Sequence, residues 1–234
     1  VKDLWSQVHF LSPLILGYNS FWQFRENHLE YDKLTGRIYN SFNIDWLTQK
    51  LSPYIYECKI DDVLDMPKTS SRLEKFSMCY STELKYVDRQ YFWLEKIGSY
   101  DGNNPVNLIF GMFRELREIS FTDESRREIL RKITREMKDK YLIIWVNLTK
   151  EIELIKEIIP NAYVFNGKKK EHSLWKKSGG VLIANLQTGS LSHNFQFCKK
   201  AIYYSQSWDY VTKVQSERRI WRAGQKYDVE YICL

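Results

Sequence analysis

Hydrophobic positions follow two rhythms along the chain. In residues 121–234, short continuous apolar runs alternate with stretches whose apolar positions recur every three or four residues, as expected of strands joined by helices. Residues 141–148 (YLIIWVNL) read as a strand covered on both faces. Thr149 fits the N-cap of the next helix, with Glu151 and Glu153 in the first turn where the helix dipole favours acids, and Pro160 stops it. Residues 162–165 predict a further strand, followed by Gly167, a lysine run and a short amphipathic stretch around Trp175. Strands are predicted again over 180–186 (GVLIANL) and 200–205 (KAIYYS), then a helix from about 210 to 223, then a last strand over 229–234. Parallel strands joined by helices make right-handed crossovers, so the expectation is an α/β doubly wound parallel sheet from residue 121 to the end.

Residues 1–120 read as a mainly helical region. Helical periods cover 4–16, 44–51, 83–96 and 106–119, with one strand near 73–79. Residues 31–42, which include Gly36, have no clear period and predict a flexible connector. Thr122 is a candidate cap for a helix over 123–138, whose apolar side carries Ile129, Leu130, Ile133 and Met137. Its other side carries Arg126, Arg127, Arg131, Lys132, Arg135 and Lys138, which fits a solvated face better than a nucleic-acid contact.

Composition narrows the classes. With 234 residues, 44% of them hydrophobic, the chain has room for one large core or two small ones. It has no apolar run long enough to cross a membrane and no signal-peptide layout at Val1, so an intracellular protein without a membrane partner is expected. The four cysteines and four histidines are scattered, without the spacing of a disulfide framework, a redox dithiol or a metal site. A net charge of +6 favours a polyanionic partner. Eight Trp fit core packing more readily than base stacking.

The segment with candidate chemistry is Gln215-Ser-Glu-Arg218-Arg219-Ile-Trp221-Arg222-Ala-Gly224-Gln225. On a continuous helix Gln215, Arg219 and Arg222 fall within roughly 60° of one another, with Val214 and Trp221 on a separate stripe. Gly224 fits the helix end. Two guanidiniums on one stripe suit the neutralisation of charge in phosphoryl transfer, although a salt-bridged surface helix has the same spacing.

The wider segment 180–226 resembles motifs five and six of the SWI/SNF-like branch of superfamily two helicase-related ATPases. The counterparts are Thr188-Gly189-Ser190-Leu191-Ser192-His193-Asn194-Phe195, the pair Trp208-Asp209, and Gln215-x-x-x-Arg219-x-x-Arg222-x-Gly224-Gln225. Upstream, residues 59–68, the Leu116-Arg117-Glu118-Ile119 stretch and residues 142–146 are similar to a lysine-led segment, a helix and motif four of that family. The resemblance implies a second RecA-like lobe over 121–234, with residues 1–120 linking to, or protruding from, a first lobe. It also implies catalytic Arg219 and Arg222, nucleotide contacts from Gln215, Gly189 and Asn194, and nucleic-acid contacts from Thr188 and Ser190. Lys168 and Lys169, in the run 168–170 with Lys176 and Lys177 nearby, are a further candidate for a phosphate backbone.

The chain departs from the family pattern at Ser192, where a glycine is usual, at Trp221, where histidine is usual, and at Asp209, where asparagine is usual. His193 fills an apolar slot of the pattern and reads as a packed ring. Gly167-Lys168 lacks the glycine spacing of a phosphate-cradling loop, and Asp123-Glu124 opens a helix instead of ending an apolar strand. ATP and Mg²⁺ are therefore expected to be held mainly by a first RecA-like lobe of the same polypeptide. This chain is expected to be a fragment of an ATP-dependent translocase or helicase acting on nucleic acid, DNA more than RNA. The alternative is a nucleic-acid-binding or interaction module that keeps the fold without ATP coupling.

Overall fold

The structure, a computed structural model, describes residues 1–58, 60–102, 105–189 and 193–234. They divide into two compact units, Val1–Val63 and Leu64–Leu234.

In the first unit the expected helix over 4–16 is two helices, α1 (Lys2–Leu11) and α2 (Pro13–Leu16), because Ser12 is extended (φ −165°, ψ 127°) and Pro13 starts a new first turn. Helix α3 (Phe21–His28) leads into a hairpin of β1 (Leu29–Tyr31) and β2 (Ile38–Ser41), and α4 (Ile44–Leu51) follows. Residues 31–42 are thus an ordered arm of a hairpin, not a connector. Asp32 Oδ1 accepts from Leu34 N at 2.8 Å and Thr35 N at 3.2 Å, and Gly36 at φ 68° supplies the left-handed step. Val8, Leu16, Phe24, Leu29, Leu47 and Leu51 form the core of this unit. His28 is buried beside it, its Nε2 2.9 Å from Tyr18 Oη and its ring stacked on Trp46.

The second unit is built on six parallel strands in the order β3-β8-β7-β4-β6-β5. They are β3 (Thr69–Leu73), β4 (Tyr141–Val146), β5 (Tyr163–Phe165), β6 (Gly180–Asn185), β7 (Lys200–Tyr203) and β8 (Val229–Cys233). Helices α5 (Tyr80–Gly98), α6 (Val106–Phe121) and α7 (Glu124–Arg135) precede β4. Helix α8 (Thr149–Ile158) links β4 to β5, α9 (His172–Ser178) links β5 to β6, and α10 (Leu186–Gly189) follows β6. Helix α11 (Tyr210–Glu217) lies between β7 and β8. Alternate residues of strands β4 to β8 enter different cores, as a sheet covered on both faces requires. Leu142, Ile144 and Val146 pack with Ile133, Ile152 and Ile155 on one face. Ile143 and Trp145 pack with Trp175, Phe195 and Ile220 on the other. This is the RecA-like α/β architecture expected.

Several boundaries differ from expectation. Strand β3 ends where the strand near 73–79 was expected to begin; it is an exposed, polar edge strand made by backbone pairing with β8, so it carries no apolar alternation. Residues 64–120 belong to the same compact unit as the sheet. Asp123, not Thr122, caps α7: its Oδ1 accepts from Ser125 N at 2.9 Å, while Thr122 Oγ1 donates back to Ile119 O. Thr149 lies inside α8, which Glu151 caps instead by accepting the N–H groups of Asn147 and Leu148. Arg126, read as part of a solvated face, is buried against Tyr204 and donates to the backbone carbonyls of Tyr204 and Leu234.

Candidate functional site

Parallel strands carry their ligand-facing loops at the carboxyl ends. At the ends of β4 and β7 these loops are joined by one buried carboxylate. Glu151 Oε2 accepts from Asn147 N at 2.8 Å, Leu148 N at 3.0 Å and Ser205 Oγ at 2.8 Å. Asn147 Nδ2 donates to Gln206 O at 2.7 Å, Asn185 Nδ2 donates to Asn147 O at 3.0 Å, and Arg117 also donates to Gln206 O. Burial holds the Arg117 guanidinium below its ordinary pKa, and the Glu151 charge offsets part of that. Sequence spacing misses this network because its members are dispersed from Arg117 to Gln206. The Glu151 position in a first helical turn is the sole signal.

The arginine segment is not a continuous helix. Helix α11 stops at Glu217, and bonds from Arg219 N to Ser216 O and from Ile220 N to Glu217 O tighten the chain into turns. Gln215 is therefore helical and half-buried, whereas Arg219 and Arg222 lie beyond the helix, half-buried and exposed respectively. Gly224, at φ 93°, ends a turn closed by Gln225 N on Arg222 O at 2.9 Å, seven residues past the end of α11. Tertiary bonds override the helical period: Arg219 O accepts from Phe195 N at 2.9 Å, Trp221 Nε1 donates to Pro67 O at 2.7 Å, and Gln225 Nε2 donates to Cys198 O at 3.0 Å.

These bonds tie the arginine turns to the Asn194 turn, where Asn194 Oδ1 accepts from Gln196 N at 3.0 Å. A side chain at Gly224 would touch Gln196. Burial, and the charge of Arg222 beside it, lower the Arg219 pKa. An arginine stays charged at neutral pH, and burial is the larger cause of this shift, with the Arg222 charge the smaller.

Thr188 and Gly189 lie in α10, immediately after β6, and α10 packs against α11. Ser190, with Leu191 and Ser192, lies outside the described residues. Lys168 and Lys169 sit on an exposed turn after β5, where Asn166 Oδ1 accepts both backbone N–H groups at 2.9 and 2.7 Å. From that turn a packed series of rings leads to Asn194: His172 stacks on His193 at 4.2 Å, and both rings touch Phe165 at 4.6 Å. A cavity of about 600 Å³ opens there, lined by His172, Lys176, Lys177, His193, Asn194 and Phe197, among others.

Similar folds occur in solved structures. The chain matches the C-terminal part of the Fun30 ATPase domain with a TM-score of 0.56 and 11% identity over 73% of this chain and 86% of that one. It matches the Sulfolobus solfataricus SWI2/SNF2 ATPase core in complex with dsDNA with a TM-score of 0.59 and 17% identity over 99% of this chain and 54% of that one. The Sulfolobus core domain without that DNA gives 0.56 and 15%, again over 99% of this chain and 53% of that one. The chain shares the fold of these SWI2/SNF2 ATPase structures. The chain spans about half the length of the two Sulfolobus cores. No family model and no curated protein matches the chain.

Two of the three departures in sequence have a local structural role, and the third, Ser192, lies outside the described residues. Asp209 caps α11, accepting from Val211 N at 3.0 Å and Thr212 N at 3.2 Å. Trp221 anchors the arginine turns to Pro67, with the Arg218 guanidinium 4.4 Å above its ring. Trp208 is exposed and rests on Phe113 at 5.3 Å. Among the described residues, no helix is long and apolar enough to cross a membrane.

Proposed function

We propose that this chain is the C-terminal, arginine-bearing lobe of an ATP-dependent nucleic-acid motor. In this reading it closes on a first RecA-like lobe of the same polypeptide and tracks DNA in preference to RNA. The observation that carries the proposal is the pair Arg219 and Arg222, held beside the Asn194 turn on a SWI2/SNF2 fold. The duplex DNA bound by the Sulfolobus core favours DNA as the polymer.

The residues fit a polyphosphate. Two neighbouring guanidiniums supply planar, permanently charged forks for phosphate oxygens, and Gln215 on the last turns of α11 adds an amide. Magnesium takes oxygen ligands, so a site of guanidiniums and an amide suits the nucleotide, and the ion is assigned to the facing lobe. When bound there, Mg²⁺-ATP would supply the transferable γ-phosphoryl; Arg219 and Arg222 would stabilise its charge, and closure of the cleft would exclude water. Gly189 and Asn194 would contact the nucleotide, and Thr188 and Ser190 would follow a nucleic-acid strand, with Lys168 and Lys169 on its phosphates.

The isolated chain is expected to hydrolyse no ATP and to bind duplex DNA weakly, with strong salt sensitivity. Removal of Lys168 and Lys169 should lower the salt dependence by about one power each if each contacts one phosphate. Turnover by the isolated chain that Arg222→Ala abolishes would overturn the two-lobe reading. Failure of both duplex and single strand to bind at low salt would overturn the nucleic-acid reading.

A further inference from the structure

Helix α5 has two apolar faces. Thr82, Tyr86, Arg89, Trp93 and Ile97 are half-buried, and from this side Arg89 and Trp93 both donate to Glu115 of α6 at 2.6 Å. Gly111 of α6 makes room for the Trp93 ring, which a Cβ there would meet at 2.8 Å. Tyr80, Leu84, Val87, Tyr91 and Leu94 form a second stripe about a third of a turn away, spaced alternately four and three residues apart. These five side chains are 39–76% exposed. A heptad-spaced apolar stripe is the pattern that packs against another helix, and a contiguous exposed patch of this kind marks an interaction surface.

The charges around the stripe are segregated. At 100° per residue, Glu83 lies about 60° to one side of its centre, and Glu95 and Asp88 lie about 60° and 80° to the other. The basic residues Lys85, Arg89 and Lys96 lie on the far side, about 140–180° away. Among the described residues, none of the three flanking carboxylates forms an ion pair. Glu83 is favoured in the first turn by the helix dipole, but Asp88 and Glu95 are mid-helix or later and gain nothing from it.

We propose that this face of α5 docks an amphipathic helix of a partner protein whose apolar stripe is flanked by Lys or Arg. A second copy of the chain fits poorly. Parallel pairing of two α5 helices would set Glu83 against Asp88, and antiparallel pairing would bring Asp88 and Glu95 together, so either orientation opposes like charges. The net charge of +6 repels a basic partner, so its attraction to this chain has to come from the local acidic rim.

The test uses two labelled synthetic helices with Leu at the core positions, one flanked by Lys and the other by Glu. Both are titrated into the intact chain by fluorescence anisotropy. The Lys-flanked helix should bind at least about tenfold more tightly. The double substitution Leu84→Ser with Leu94→Ser should abolish that binding while the circular dichroism and melting temperature of the chain stay unchanged. Glu83→Lys, Asp88→Lys and Glu95→Lys together should reverse the preference toward the Glu-flanked helix. Equal binding of both helices, binding of neither, or a preference unmoved by charge reversal would overturn the proposal. A dimer in sedimentation that the Leu84→Ser and Leu94→Ser pair dissociates would assign the face to a second copy and overturn it as well.

Discussion

At the scale of single residues, two histidines are packed where burial disfavours their charged form. Burial lowers the pKa of His28, and burial together with His193 and Lys170 lowers that of His172, from an ordinary value of 6.5. A lowered folded-state pKa means that the unfolded chain takes up the proton first as pH falls. Stability is therefore fully present above about pH 6.5 and is lost below it, until the folded-state pKa is passed. For His172 burial is the larger cause, and the His193 ring stacked 4.2 Å away adds to it. The melting temperature should fall between pH 7 and 5, and His172→Phe should remove part of that slope. A flat profile, or one that rises toward pH 5, would contradict the packing described. The cysteines read as small apolar residues, and Cys198 fits this, its thiol pushed up to about 12 by burial. Cys58, by contrast, is exposed.

At the scale of elements, Glu151 joins the N-terminus of α8 to the ends of β4 and β7. Glu151→Ala would leave the Leu148 N–H and the Ser205 hydroxyl without their acceptor, while the Asn147 N–H keeps Ser205 Oγ at 3.1 Å, at a cost of about 1–3 kcal/mol for each group that water cannot reach. Thermal unfolding should show a lower midpoint for Glu151→Ala than for Glu153→Ala, which removes a carboxylate from the same helix without those bonds. Equal midpoints would assign the network no structural weight. The continuous apolar strands β4 and β6 were legible in the sequence because burial on both faces leaves no polar positions to blur the period. Strand β3 was not, because backbone pairing alone makes it a strand. Strands β1 and β2 and helix α3 were missed, since a three- or four-residue strand is too short to show alternation. The arginine segment was legible as a pattern of residue types, but its helical geometry was not. Bonds from Phe195, Trp221 and Gln225 to distant backbone groups set its shape, and no local spacing encodes them.

At the scale of the whole molecule, the strand order and the two covered faces place the Asn194 turn, the arginine turns and the lysine turn within one unit, Leu64–Leu234. The first unit, Val1–Val63, has a core of its own. The proposed motor makes its sharpest demand on Arg222, the exposed member of the arginine pair. The decisive measurement is nucleic-acid-stimulated ATP turnover by the polypeptide that includes the first lobe, with melting temperatures for every variant. An arginine acting on the transferring phosphoryl group is worth roughly 10³–10⁵ in rate, or about 4–7 kcal/mol. Arg222→Ala should lose turnover on that scale with its melting temperature unchanged. Arg222→Lys should stay severely impaired because the planar fork is gone. Arg218→Ala, which removes only a cation from above the Trp221 ring, should cost far less. Near-normal turnover by Arg222→Ala, or a loss that follows unfolding, would contradict the assignment of these arginines to the chemistry.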